Sequence, residues 1–263
     1  MNFVSTDDGC RIAYRVEGSG SALILSNSLG TNMDMWKPQV EALAAQFRVI
    51  RYDCRGHGGS DVPTGGYAIA RLAQDTLAVL DACSVTRAHF CGLSMGGMVG
   101  QWLAARAPER LERLVLANTS AYLGPPSNWQ ARIEMARANG MAAVADAVVE
   151  RWFTPGFREM SVSEVEAARN MLLATDPQGY AGCCAAIRDM DLRPIATLNT
   201  VPTLVIAGAH DPATPPVQSE AIVRAAQNAT LLTLPAAHLS NIECADDFTD
   251  AVVAFLSLAR NAP

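Results

Sequence analysis

Short apolar runs alternate with longer amphipathic ones along most of this chain. Residues 22–27 (ALILSN), 47–52 (FRVIRY), 88–92 (AHFCG), 111–118 (LERLVLAN), 203–208 (TLVIAG) and 230–234 (TLLTL) have the length and composition of strands. Several are apolar on both parities, as strands covered on both faces must be. Between them, residues 68–82, 95–106, 217–226 and 246–260 read as helices. This alternation predicts a mostly parallel, twisted α/β sheet flanked by helices. Residues 3–6 and 11–16, around Asp7-Asp8-Gly9, read as an antiparallel hairpin on the sheet's edge.

The alternation breaks between residues 122 and 193. Helical segments at 128–138, 141–153, 163–174 and 178–189 follow one another there, punctuated by Pro125-Pro126, Pro155-Gly156, Pro177 and Pro194. The expectation is a helical cap (122–193) inserted between two strands of a core made from residues 1–121 and 194–263. An insertion at the carboxyl edge of the sheet would roof the place where open α/β sheets bind ligands.

Composition narrows the class. Of 263 residues, 50% are hydrophobic and 17% charged, enough for one sizeable core and too few charges for a disordered chain. The net charge is −6 and Lys and Arg form no stripe, which argues against a nucleic-acid partner. The first residues, MNFVSTDDGCRIAY, show no secretory pattern, and no apolar run is long enough to span a membrane. The seven cysteines are odd in number, include a vicinal pair (Cys183-Cys184) and form no C-x-x-C. That usage predicts free thiols in a reducing cytoplasm. His57, His89, His210 and His238 are scattered, so no metal is expected.

One hydroxyl stands out in FCGLSMGGMVG (residues 90–100). Gly92-Leu93-Ser94-Met95-Gly96 is a G-x-S-x-G between a predicted strand and a predicted helix. That is the context of a nucleophile elbow, where the turn is so tight that side chains at the flanking positions would meet backbone. An alcohol needs a base, and the base needs an orienting acid. In this architecture the order is nucleophile, acid, histidine. The loop after the next strand, Leu116-Ala117-Asn118-Thr119, has no carboxylate. The loop after TLVIAG holds Asp211, and TLLTLPAAHLSN delivers His238 one strand later. Ser94, Asp211 and His238 are therefore the candidate triad. His89 reads as a core residue and His57 as a residue that holds a glycine-rich turn. The oxyanion donors are expected to be the backbone amides of Met95 and of Leu29, in the loop after ALILSN.

With these residues in place, the chain resembles the α/β-hydrolase family over almost its whole length. YDCRGHGGSD (52–61), GLSMGG (92–97), VPTLVIAGAHDPATP (201–215) and AAHLSNIE (236–243) occur in the family's order. Most members carry His-Gly in the oxyanion loop, where this chain has Asn27-Ser28. That departure, together with GLSMGGMVGQ, AAHLSNIE, NWQARI (128–133) and RWFTPGF (151–157), is similar to the 3-oxoadipate enol-lactonases. Cys244-Ala245 stands where a Gln-Pro-like pair is expected.

The resemblance implies a cytoplasmic enzyme without a cofactor. It would open 3-oxoadipate enol-lactone to 3-oxoadipate, in the β-ketoadipate route of aromatic catabolism, as a monomer or small homo-oligomer. The partner would be a small lactone carrying a carboxylate. An acidic protein needs local positive charge to receive it. Arginines fall in the cap at 132, 137, 151, 158, 169 and 188. Trp129 and Arg132 share a helix face. Trp129, Arg132 and Trp152 are expected to line the pocket, with Arg132 on the carboxylate. The alternatives are another hydrolase of small esters or C–C bonds (a carboxylesterase, a meta-cleavage product hydrolase or a perhydrolase) and a non-catalytic ligand receptor of the same fold. A haloalkane dehalogenase would need Asp at position 94, and a cysteine-type dienelactone hydrolase would need Cys.

Overall fold

The apolar runs assemble into one eight-stranded sheet in the computed structural model, which describes residues 1–258. The strands are β1 (Asn2–Ser5), β2 (Arg11–Glu17), β3 (Ser21–Ser26), β4 (Phe47–Tyr52), β5 (Ala88–Leu93), β6 (Leu111–Ala117), β7 (Thr203–Gly208) and β8 (Ala229–Leu234). Their spatial order is β1-β2-β4-β3-β5-β6-β7-β8. β1 and β2 form the expected edge hairpin, and β2 runs antiparallel to β4. Every other pairing is parallel. The strands predicted from two-sided apolarity sit in the middle: all six residues of β5 and all six of β7 are buried.

Four helices belong to the first half of the wrapping or open the next segment: α1 (Lys37–Ala44), α2 (Ile69–Ala82), α3 (Met95–Arg106) and α4 (Pro126–Asn139). α5 (Ala142–Trp152), α6 (Pro155–Met160), α7 (Val162–Leu173) and α8 (Pro177–Arg188) follow without an intervening strand. α9 (Pro216–Ala225), α10 (Ser240–Glu243) and α11 (Ala245–Leu256) complete the described chain. The helix expected over residues 246–260 ends at Leu256, and positions 259–263 lie outside the described residues. α1 and α6 were not expected from the pattern. Both are short and carry Pro in the first turn, where its missing N–H costs no hydrogen bond.

The strand order places a switch point. β3 lies between β4 and β5, so the chain winds one way from β3 to β4 and the other way from β3 to β5. The loops leaving the carboxyl ends of β3 and β5 therefore diverge and leave a crevice between them. The five helices α4–α8 are threaded between β6 and β7. α4 packs on α8 and α5 on α7. Tyr67 N–H donates to Gly182 C=O in α8 (2.9 Å), and Leu192 N–H, just past α8, donates to Ala121 C=O (2.8 Å). Gly179 in α8 approaches Gly56 so closely that a Cβ there would lie 2.1 Å from the Gly56 carbonyl oxygen. Among the described residues, no helix is long and apolar enough to cross a membrane.

Candidate active site

β5 ends at Leu93 and α3 begins at Met95, so the whole reversal falls on Ser94. Its backbone takes φ 57° and ψ −114°, a conformation that L residues occupy only under constraint. The constraint is visible. Ser94 N–H donates to Ala117 C=O (2.9 Å), Met98 N–H returns to Ser94 C=O (3.1 Å), and Thr119 Oγ1 donates to the same carbonyl (2.7 Å). The flanking glycines explain the motif. A Cβ on Gly92 would meet Gly96 O at 2.3 Å, and one on Gly96 would meet Ser26 O at 2.1 Å. Both are backbone atoms with nowhere to go.

The other members of the sequence-derived triad converge on this serine from the ends of β7 and β8. His238 Nε2 lies 2.9 Å from Ser94 Oγ, and His238 Nδ1 lies 2.8 Å from Asp211 Oδ2. A carboxylate only accepts, so the imidazole proton sits on Nδ1 and Nε2 is left to accept from the serine hydroxyl. Asp211 is heavily donated to. Ala213 N–H (2.7 Å) and Thr214 N–H (3.0 Å) reach Oδ1, while Thr214 Oγ1 (2.7 Å) and Asn118 Nδ2 (3.0 Å) reach Oδ2. Burial alone would raise its pKa. The interaction with His238 and these hydrogen bonds outweigh burial and hold the carboxyl below its ordinary value. Thr214 and Asn118 were not singled out from the sequence. Thr214 follows the acid by three residues and could have been read as an Asx-type turn partner; Asn118 is 93 residues away and gave no signal.

The expected oxyanion donors sit on two loops tied to each other. Gly96 N–H donates to Asn27 C=O at 3.0 Å, clamping the start of α3 to the loop after β3. Met95 is the first residue of α3, so its amide has no helical carbonyl to bond. On the other loop, the neighbours of Leu29 are engaged: Ser28 N–H faces Met35 Sδ (3.3 Å) and Gly30 N–H donates to His57 Nε2 (3.0 Å). No hydrogen bond to the Leu29 or Met95 amide is seen among the described residues. Asn27, one half of the departure from His-Gly, bridges this loop to its surroundings. Its Nδ2 donates to Tyr52 C=O (2.8 Å) and its Oδ1 accepts from Trp36 Nε1 (2.9 Å).

His57 holds its turn as expected from the sequence, and does so by fixing the Leu29 loop. Burial pushes its pKa down to about 4, so the ring is neutral. Nε2 accepts from Gly30, which leaves the proton on Nδ1, 3.3 Å from Arg55 C=O. Cys54, His57 and Cys183 gather in this buried spot, but both ring nitrogens of His57 are already committed. His89 is buried and edge-on to Phe47, and His210 is exposed. All seven cysteines are free.

A cavity of about 340 Å³ opens above Ser94 and His238. Leu29 lies on its wall, and the inserted helices close the far side with Trp129, Arg132, Arg151, Trp152 and Tyr180. All three side chains expected from the sequence to line a pocket (Trp129, Arg132, Trp152) are on this wall. Arg151 stands among several arginines of that stretch, marked in the sequence only by its position beside Trp152. Arg169 pairs with Asp146 and Arg188 with Asp189, so each already has an acidic partner. Arg132 stacks on Trp129 with its guanidinium 4.7 Å from the ring centre. Among the described residues, neither Arg132 nor Arg151 has a carboxylate partner, and the cavity wall holds no Asp or Glu. Burial and the neighbouring Arg132 charge lower the Arg151 pKa, as expected for cations crowded together in a half-buried site.

This elbow, with a histidine and a buried carboxylate behind it on such a sheet, defines a class. The chain belongs to the α/β-hydrolase fold family: residues 21–158 match its family model, described as alpha/beta hydrolase fold, and residues 174–257 match one described as TAP-like protein. Among particular relatives, the chain is 43% identical over 235 residues to 3-oxoadipate enol-lactonase 2 of Acinetobacter baylyi, covering 89% of this chain and 88% of that one. The enol-lactonase of Burkholderia xenovorans LB400 superimposes with a TM-score of 0.96 at 46% identity, over 98% of this chain and 100% of the other. A hydrolase of Pseudomonas aeruginosa PA01 superimposes with a TM-score of 0.95 at 50% identity, over 98% of each chain.

Proposed function

We propose that this hydrolase opens 3-oxoadipate enol-lactone to 3-oxoadipate, with Ser94 as nucleophile, His238 as base and Asp211 as the acid that orients it. One observation supports the substrate class most strongly: two guanidiniums without carboxylate partners, Arg132 and Arg151, share one cavity with the Ser94–His238 pair. A half-buried pair of cations is costly unless an anion joins it. A lactone with an acetate arm brings that anion. The cavity, at about 340 Å³, lies at the small end of the roughly 300–1,000 Å³ span of small-molecule sites, which suits a compact ring and not a long acyl chain. Two of the named relatives are enol-lactonases, which points the same way.

The proposed steps run from the triad outward. His238 Nε2 takes the hydroxyl proton as Ser94 Oγ attacks the ring carbonyl. The amides of Leu29 and Met95 stabilise the oxyanion, aided by the positive end of α3. Asp211 stabilises the imidazolium. The ring C–O bond breaks, and His238 returns the proton to the departing enol oxygen. That enol ketonises, which discourages re-closure. Water, deprotonated by His238, then attacks the acyl-enzyme and releases Ser94 and the second carboxylate. Residues 122–193 act as the cap that supplies Trp129, Trp152 and the arginines. The β-ketoadipate route of aromatic breakdown is the setting this reaction belongs to. Buried free thiols suit a reducing compartment, and we place the enzyme in the cytoplasm as a monomer or small homo-oligomer.

The charge requirement is testable. A charge-assisted hydrogen bond contributes about 1.5–3 kcal/mol, or roughly 10–100-fold in binding. Arg132→Ala is expected to raise KM for the enol-lactone by about that factor and to leave KM for a neutral ester nearly unchanged. Equal effects on the two substrates would favour a general esterase instead.

A further inference from the structure

His238 sits on the connection between β8 and α10, outside any regular element. The hydrogen bonds of its neighbours must therefore set its place. On the sheet side, Ala237 C=O accepts from Asn118 Nδ2 at 3.0 Å. On the other side, both flanking residues are bonded to the segment leaving α5. Leu239 N–H donates to Trp152 C=O at 3.0 Å. Ala237 N–H donates to Glu243 Oε2 at 2.8 Å, and Glu243 Oε1 accepts from Thr154 Oγ1 and from Thr154 N–H (3.2 Å). Trp152, in that same segment, lines the cavity. Three donors thus converge on one side chain, and the two oxygens of a carboxylate accept from all three.

We propose that Glu243 is a positioning residue that fixes His238 against the end of α5. The imidazole keeps its 2.9 Å contact with Ser94 only while residues 152–154 hold their place. The helices that shape the substrate cavity and the base that starts the reaction are thereby one mechanical unit. A base displaced by a fraction of an ångström loses alignment with the hydroxyl it must deprotonate. The proposal rests on the reading of Ser94 as the nucleophile.

The test uses the full-length protein and two readouts. The second-order rate of Ser94 modification by a small organophosphate reports activation of the hydroxyl, whatever the natural substrate is. Steady-state kcat and KM on an acyl substrate that the wild type turns over report the full cycle. Glu243→Ala is expected to slow modification and kcat by about tenfold or more and to leave KM within about twofold. Glu243→Gln keeps one oxygen for Ala237 N–H and is expected to stay within about threefold of wild type. Thr154→Val, which removes one hydroxyl, is expected to fall between them without a loss of thermal stability. Should Glu243→Ala not fold, Thr154→Val decides the matter in the same way. Unchanged modification rates in Glu243→Ala or Thr154→Val, or a loss confined to KM, would overturn the proposal. A wild type that resists the organophosphate would overturn the nucleophile reading itself, and with it the premise of this one.

Discussion

The side-chain amide of Asn118 donates to Asp211 Oδ2 at 3.0 Å and, through the same nitrogen, to Ala237 C=O at 3.0 Å. Its Oδ1 accepts from Ser240 Oγ at 2.5 Å. One residue at the end of β6 thereby ties the acid to the strand end that carries the histidine. Asn suits the site twice over, because its backbone has φ 44° and Asn tolerates that region better than most residues. Asn118→Ala removes both donations. A hydrogen bond to a charged group contributes about 1.5–3 kcal/mol, so kcat is expected to fall by about tenfold or more with little change in KM. Asn118→Asp should fall further, since a second carboxylate would face Asp211. Steady-state kinetics on the three proteins checks the order.

Backbone strain at Ser94 makes a second prediction. Its φ of 57° with ψ −114° costs a non-glycine residue on the order of 1–3 kcal/mol. Ser94→Gly should therefore raise the Tm by several degrees while abolishing turnover. Gly96→Ala should do the reverse to stability, because its Cβ would lie 2.1 Å from the Ser26 carbonyl oxygen. Thermal unfolding of both variants beside wild type tests the pair. A Ser94→Gly protein no more stable than wild type would mean that the elbow holds no strain.

His57 makes stability depend on pH. Its ordinary pKa of 6.5 is pushed down to about 4 by burial. Below pH 6.5 the unfolded chain takes up a proton that the folded ring refuses until about pH 4. The contribution is whole above 6.5 and is lost as pH falls through that window. It amounts to about 3 kcal/mol. His57→Gln, whose side-chain oxygen can accept from Gly30 N–H, should lose less stability than wild type between pH 7 and pH 4. Denaturant unfolding at several pH values measures the difference. Parallel curves would assign the acid sensitivity elsewhere.

These features differ in how far the sequence announces them. Ser94, Asp211 and His238 are legible because each sits at the end of a run whose strand character is written in its own residues. The order of those runs then leaves a single candidate for each role. The edge hairpin and the break after β6 are legible for the same local reason. Asn118 and Glu243 are not. Their importance lies in hydrogen bonds to partners that the chain brings together only on folding, across 93 residues for Asn118–Asp211 and 89 for Thr154–Glu243. Arg151 shows the same limit from another side. The arginines of the inserted stretch are equivalent as letters. Only the fold shows that Arg169 and Arg188 find acidic partners while Arg132 and Arg151 turn to the cavity. The short helices α1 and α6 escaped because neither is long enough for periodicity to be read.

The most direct test of the account is steady-state hydrolysis of 3-oxoadipate enol-lactone, followed by its ultraviolet absorbance, beside p-nitrophenyl acetate. Wild type and Ser94→Ala would be measured together. A kcat/KM about a thousandfold or more higher for the lactone than for the ester, lost in the mutant, is expected. Faster turnover of the ester than of the lactone, or lactone hydrolysis that survives Ser94→Ala, would contradict it.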